Sequence, residues 1–217
     1  MSDIYCIGDS NISFFSKTNS CVGTMPLLRN VYNEQFHLTH YEPRLAYNLG
    51  NENHTNYQTT IKNVELCKGN NLLFSFGLLD IKAHITKQSY LQKRSIRAVT
   101  FECVSRYISF IKKIADKAKN IIVYGPIPTV CNEKITPKDF NHYTQKERNL
   151  ACRYFNEFLK IFCGENNFFF CTLFWELIDK NYTVKEDYYL QDGIHLNCEN
   201  YDLIKPQIDK FNRLINK

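Results

Sequence analysis

Ser10 and His195 are the residues whose types and setting suit nucleophilic chemistry. A serine hydroxyl is a weak nucleophile at neutral pH until a base takes its proton. That base in turn needs a third group to fix its tautomer and stabilise its charged form. Ser10 ends the run Asp3-Ile4-Tyr5-Cys6-Ile7-Gly8-Asp9-Ser10, an apolar stretch stopped by glycine and followed by an acid and a hydroxyl. His195 closes Asp192-Gly193-Ile194-His195, where a turn through Gly193 can bring the carboxylate and the imidazole within bonding reach. Each motif has a plainer meaning by itself. Gly-Asp-Ser also makes an ordinary turn or helix N-cap, and a lone loop histidine is usually a satisfied one. Their joint occurrence at opposite ends of the chain favours a reacting pair.

The elements that must hold these residues follow from the apolar pattern. Residues 3–8 read as a buried strand, and glycine at its end lets the next side chains face a crevice. Residues 71–77 repeat the arrangement, with Gly77 at the strand end and Asp80 just beyond it. Residues 121–125 repeat it again, ending at Gly125. Only eight glycines occur, so three of them falling after strand-like runs marks one sheet edge. Residues 88–119 carry Val99, Cys103, Tyr107, Phe110, Ile111 and Ile114 at helical spacing. Residues 146–163 predict a second helix with Leu150, Tyr154, Phe155, Phe158, Leu159 and Phe162 inward, closed by Gly164. Residues 168–172 read as a strand, and 201–215 as a last amphipathic helix in which Pro206 marks a kink or a late start. Between Ser10 and Asn63 the pattern is weaker: a partly helical 27–32, a short strand in 35–41, a helical turn closed by Gly50, and a polar loop over 51–56. The alternation of strands and helices predicts a parallel sheet covered on both faces. Ligand sites of such sheets lie outside the carboxyl ends of the strands.

Bulk properties narrow the class. A chain of 217 residues with a hydrophobic fraction of 44% and 14% aromatics is one packed domain, here taken as 1–217. The net charge of +5 is modest and its lysines are spread over helix faces, which argues against a nucleic-acid protein. Nine cysteines form no Cys-x-x-Cys pair and several lie in apolar runs, so neither a zinc site nor a disulfide framework is expected. No secretory signal is recognisable at Met1-Ser2-Asp3-Ile4, and no apolar run is long enough for a membrane span. The expectation is a cytoplasmic protein with reduced cysteines, no metal and no cofactor.

Gly8-Asp9-Ser10 together with Asp192-x-x-His195 before a final helix resembles the SGNH (GDSL) hydrolase superfamily. The similarity covers most of the chain as an order of blocks, carried by about a dozen residues. Phe76-Gly77-Leu78-Leu79-Asp80-Ile81-Lys82-Ala83-His84 is also similar, more loosely, to a Phe-Gly-Glu-Ile-Asp-Cys-Arg-x-His block of a branch associated with surface glycans. The resemblance implies a flavodoxin-like three-layer α/β/α sandwich with a five-stranded parallel sheet. It implies Ser10 as nucleophile, His195 as general base and then acid, and Asp192 as the orienting carboxylate. An oxyanion hole is implied at the Ser10 N–H and, for the second block, at Gly50. Asp9, Gly77, Asp80 and His84 are candidates for substrate contact or support.

One departure matters. The superfamily's third block is Gly-x-Asn-Asp, with the asparagine side chain donating to the oxyanion, and Leu79 stands in that place. Losing such a donor lowers rates by roughly 10²- to 10³-fold, unless Lys82 or His84 compensates. Three readings follow: a serine esterase removing a small acyl group such as acetyl from a carbohydrate, an O-acyltransferase acting on a glycan, and an impaired member that binds a glycan or a partner. The expected partner is a small-molecule or glycan ester. The sequence does not specify an oligomeric state.

Overall fold

The computed structural model describes residues 3–16, 28–29, 35–41, 44–130, 143–190 and 193–215. Five strands run parallel: β1 (Ile4–Gly8), β3 (Phe36–His40), β4 (Asn71–Ser75), β5 (Asn120–Tyr124) and β6 (Phe169–Cys171). A two-residue β2 (Leu28–Arg29) adds antiparallel to β3, so the sheet order is β2-β3-β1-β4-β5-β6. The five parallel strands thus have the flavodoxin-like order, with the switch point between β1 and β4. This bears out the expected five-stranded parallel sheet. The strand at 28–29 corrects the helical reading of 27–32 there; the remainder of that stretch lies outside the described residues.

Strand residues alternate between two buried layers because successive side chains point to opposite faces. Ile7, Leu72, Phe74 and Val123 join a core with α1 (Ala46–Leu49), α2 (Thr55–Leu66), α4 (Ile96–Lys113) and α5 (Gln145–Glu165). Ile4, Cys6, Leu73 and Ile122 face the other core, with the 3-10 helix Ser10–Ser16, the 3-10 turn Cys198–Leu203 and α7 (Lys205–Ile215). The outcome is a three-layer α/β/α sandwich. Among the described residues every cysteine is free and buried, and no helix is long and apolar enough to cross a membrane.

Several local expectations need correction. The helix predicted over 88–119 is two: α3 (Ile85–Leu91), then α4, whose start is fixed by Ser95 accepting from the Ala98 N–H at 3.2 Å. The stripe read for α4 holds, with Val99, Cys103, Tyr107, Phe110 and Ile111 all buried. For α5 the buried face is rotated by about one residue: Cys152, Phe155, Asn156, Leu159 and Cys163 lie inward, while Tyr154, Phe158 and Phe162 are only partly covered. Gly164 does not close α5; it lies within the helix, and Asn167 takes the left-handed conformation at φ 56°. Thr144 and Glu147 form a capping box at its start. The helix α2 was hidden in a polar stretch, because only Thr60 and Val64 of it are buried. Pro206 sits in the first turn of α7, so the helix starts late and is not kinked.

Candidate active site

Glycine ends β1 for a steric reason. A Cβ on Gly8 would lie 2.2 Å from the Ser75 carbonyl oxygen of the neighbouring strand and 2.7 Å from Ile12. With that close approach allowed, the Asp9 N–H donates to Ser75 O at 2.9 Å and the chain turns into the 3-10 helix that starts at Ser10. The Ile12 N–H donates to Asp9 O at 3.1 Å and the Ser13 hydroxyl to Ser10 O at 2.7 Å, so the serine backbone is tied down on both sides. The third block is built alike. Gly77 has φ 120°, a region L side chains rarely adopt, and a Cβ there would lie 2.7 Å from the Phe155 ring.

The histidine arrives on a narrow turn. Leu190 N–H donates to His195 O at 2.8 Å, Gly193 N–H to Leu190 O at 2.9 Å, and Asn197 N–H to Tyr188 O at 2.9 Å. Gly193 takes φ 61°, the left-handed conformation that glycine adopts without a Cβ penalty. The Tyr189 hydroxyl, buried at the base of the turn, donates to Pro128 O at 2.7 Å and anchors it to the loop leaving β5. The 3-10 turn after it packs on the helix after Ser10: the Phe14 and Tyr201 rings are 6.1 Å apart, and Cys198 Sγ lies 3.6 Å from Ser13 O. These contacts bring His195 Nε2 to 2.6 Å from Ser10 Oγ, across 185 residues of sequence. His195 itself is 9% exposed. Asp192 lies outside the described residues.

The structure also places the other predicted site residues. Asp9 is buried, accepts from Asn11 N–H at 3.1 Å, and has its carboxyl pushed up to about 6 by burial, opposed by that bond and by the charge of Lys82. Asp80 is fully buried and joins the third block to α1. Its carboxylate accepts from Ala46 N–H at 2.6 Å, Tyr47 N–H at 3.2 Å and the Cys103 thiol at 3.2 Å. Burial pushes it up to about 7 against those three donors, with Asp9 adding to the rise. His84, at the end of the π-turn Asp80–His84, lies 4.7 Å from the Tyr47 ring, and burial holds it below its ordinary value. Leu79 is half-buried at the start of that turn and offers no side-chain donor.

Gly50 corrects the expectation placed on it. It is the exposed C-cap of α1, with its N–H donated back to Tyr47 O at 3.3 Å and its Cα against Arg106. An amide engaged in closing its own helix is not available to an oxyanion. The sequence reading also missed Asn149, fully buried on α5. Its Oδ1 accepts from Thr129 N–H at 2.8 Å and its Nδ2 donates to Thr129 O and Tyr182 O at 3.2 and 3.1 Å. Nothing in its spacing signalled that role. Among the described residues no cluster of His, Cys, Asp and Glu could hold a metal ion.

A hydroxyl and an imidazole nitrogen in hydrogen-bond contact beyond the carboxyl ends of parallel strands can transfer a proton as the hydroxyl attacks an acyl carbon. The sequence matches the family model of GDSL-like lipases/acylhydrolases over residues 4–205. The chain belongs to that family of hydrolases. The SGNH (GDSL) resemblance of its end blocks is thereby borne out. No curated protein matches the sequence. Among solved structures, a catalytic mutant of an acetylxylan esterase from Geobacillus stearothermophilus is similar at 14% identity and a TM-score of 0.56, covering 99% of this chain and 94% of that one. A GDSL-like lipase from Bacteroides thetaiotaomicron is similar at 14% identity and a TM-score of 0.57, covering 96% of this chain and 86% of that one. At such identities the likeness speaks for the fold of this GDSL-family chain.

Proposed function

We propose that the protein is a serine ester hydrolase that removes a small acyl group, acetyl, from a carbohydrate. The observation that carries the reaction type is the 2.6 Å contact between Ser10 Oγ and His195 Nε2. In this reading Nε2 takes the hydroxyl proton as Oγ bonds to the ester carbonyl carbon, and the carbonyl electrons move to oxygen. The tetrahedral intermediate collapses as Nε2 returns the proton to the leaving sugar oxygen, which leaves an acyl-enzyme. Water then repeats the two steps: His195 takes its proton, and Ser10 leaves as a neutral hydroxyl with acetate released. Asp192, three residues before His195 in the sequence, is the carboxylate proposed to orient the imidazole. The Ser10 N–H is the proposed oxyanion donor. Carbohydrate as the leaving group is supported by the loose resemblance of residues 76–84 to the glycan-associated third block, and by the acetylxylan esterase among the similar folds.

The test is turnover and labelling together. Ser10→Ala should lower p-nitrophenyl acetate hydrolysis by at least about 10³-fold, and a fluorophosphonate should modify Ser10 and no other residue. Full activity in Ser10→Ala, or labelling elsewhere, overturns the assignment. Leu79 favours one second reading, a member that keeps the fold and binds an ester without turning it over. In that case a broad ester panel gives no hydrolysis by the unsubstituted protein, whereas the esterase reading requires some.

A further inference from the structure

Outside the Ser10–His195 pair, the described residues form a pocket of about 430 Å³ between α5, the short α6 (Phe174–Leu177) and the turn over 179–183. Trp175, the chain's only tryptophan, is 50% exposed there, with its indole set edge-on against the buried Phe174 ring at 4.7 Å and 89°. Tyr182, a non-glycine residue with φ 64°, lines the same pocket. A bulky side chain in the left-handed region persists only where its surroundings over-determine it, and such strain gathers at binding sites.

The surroundings do so here. Asp179 Oδ1 accepts from the Asn181 and Thr183 N–H groups, both at 2.8 Å, and Asp179 O accepts from the Tyr182 N–H at 3.1 Å. The Tyr182 carbonyl is held by Asn149, and its hydroxyl accepts from Arg153. The turn therefore holds the phenol ring in one orientation in the wall of the pocket that the half-exposed indole also lines.

The chemistry of the rim selects among ligands. Two aromatic surfaces suit a ring with an apolar C–H face. Asp179, Lys180 and Arg153 supply donors and acceptors at the edge, which a purely apolar ligand would leave unsatisfied. An anion is disfavoured, because Arg153 already faces Glu157 at 2.6 Å and Asp179 adds a second carboxylate. A neutral, polyhydroxylated ring meets all three conditions. We propose that this pocket binds a sugar ring of an oligosaccharide, as a subsite separate from the reacting pair. The proposal deepens, and rests on, the reading of the substrate as a carbohydrate.

The pocket is tied to the candidate active site. Asn149 links Tyr182 to Thr129, and one residue earlier Pro128 O receives the Tyr189 hydroxyl from the turn that carries His195. One loop after β5 thus braces both sites at the carboxyl edge of the sheet.

The single tryptophan makes the test direct. Ser10→Ala protein is titrated with xylotetraose, cellotetraose and chitotetraose while Trp175 emission is followed. At least one of these should give a saturable change with half-saturation in the millimolar range. Tyr182→Asn tolerates the left-handed backbone and lacks the ring; with an unchanged melting profile, it should weaken that half-saturation by at least about five-fold. An emission unmoved by all three saccharides, or an identical titration in Tyr182→Asn, overturns the proposal. The readout is independent of turnover. An inactive esterase that still binds leaves the pocket standing, and an active esterase without the emission change removes only the pocket.

Discussion

Asp9 and Asp80 show how two buried acids, one next to Ser10 in sequence and one in the third block, serve the fold. Their carboxyls, pushed up to about 6 and about 7 by burial, bind protons in the folded protein at pH values where the unfolded chain has released them. The folded state is therefore favoured most below the ordinary carboxylate range, and that contribution is lost as pH rises through about 6 and then 7. The urea midpoint should fall between pH 5 and pH 8. Asp80→Asn, which cannot ionise, should flatten the upper part of that slope; an unchanged slope would refute the assignment. The positive charge of Lys82 faces Asp9 and tempers its share of the effect, as do the three donors on Asp80. None of this was legible in the sequence. The Asp80 partners are backbone N–H groups at Ala46 and Tyr47, more than thirty residues away, and backbone donors have no side-chain signature. Ser10 and His195 were legible because their chemistry resides in residue type. Gly50 misled for the opposite reason, since a glycine in sequence does not say whether its N–H is occupied.

At the scale of elements, the strand ends were the most readable part. A glycine after an apolar run means that something else occupies the Cβ position, and all three cases hold: Ser75 O at Gly8, Phe155 at Gly77, and Asn156 Oδ1 at Gly125. Gly8→Ala would force β1 and β4 apart at the turn that carries Ser10. We expect a loss of at least about 2 kcal/mol in stability, since the contact at 2.2 Å is with backbone and no side-chain rotation relieves it. Chemical denaturation measures this, and ester turnover should fall further than the folded fraction does. Helices were less readable where burial is thin. α2 shows only Thr60 and Val64 to the core and is capped by His54 Nδ1 accepting from the Asn56 N–H at 3.1 Å. That cap is outside the usual Ser, Thr, Asp and Asn set, so the polar stretch looked like a loop. On α5, large aromatics at helical spacing drew the predicted face toward Tyr154 and Phe158. The true interior is completed by the smaller Ala151, Cys152 and Cys163.

For the whole molecule, the two cores divide the labour. Among the described residues the layer with α4 and α5 is the larger buried cluster, whereas the layer with Phe14, Phe15, Tyr201 and Phe211 joins the two distant segments that carry Ser10 and His195. Phe211 is 2% exposed and lies 5.4 Å from Phe169. Phe211→Ala should destabilise the protein by about 3–5 kcal/mol. If α7 supports the turn before it as the contacts indicate, this variant should also lower turnover at temperatures where it remains folded. An unaltered urea midpoint would show that this layer is not cooperative with the rest.

The 185-residue span between the two contacting atoms has a consequence in time as well as space. Ser10 leaves the ribosome before β3, β4, β5 and β6, and the imidazole that would activate it emerges only after them. Every shorter nascent chain carries a serine without its base. Ester turnover would therefore wait for the emergence of residue 195, and its appearance in a translation time course would mark the moment at which the segment carrying His195 docks on the one carrying Ser10.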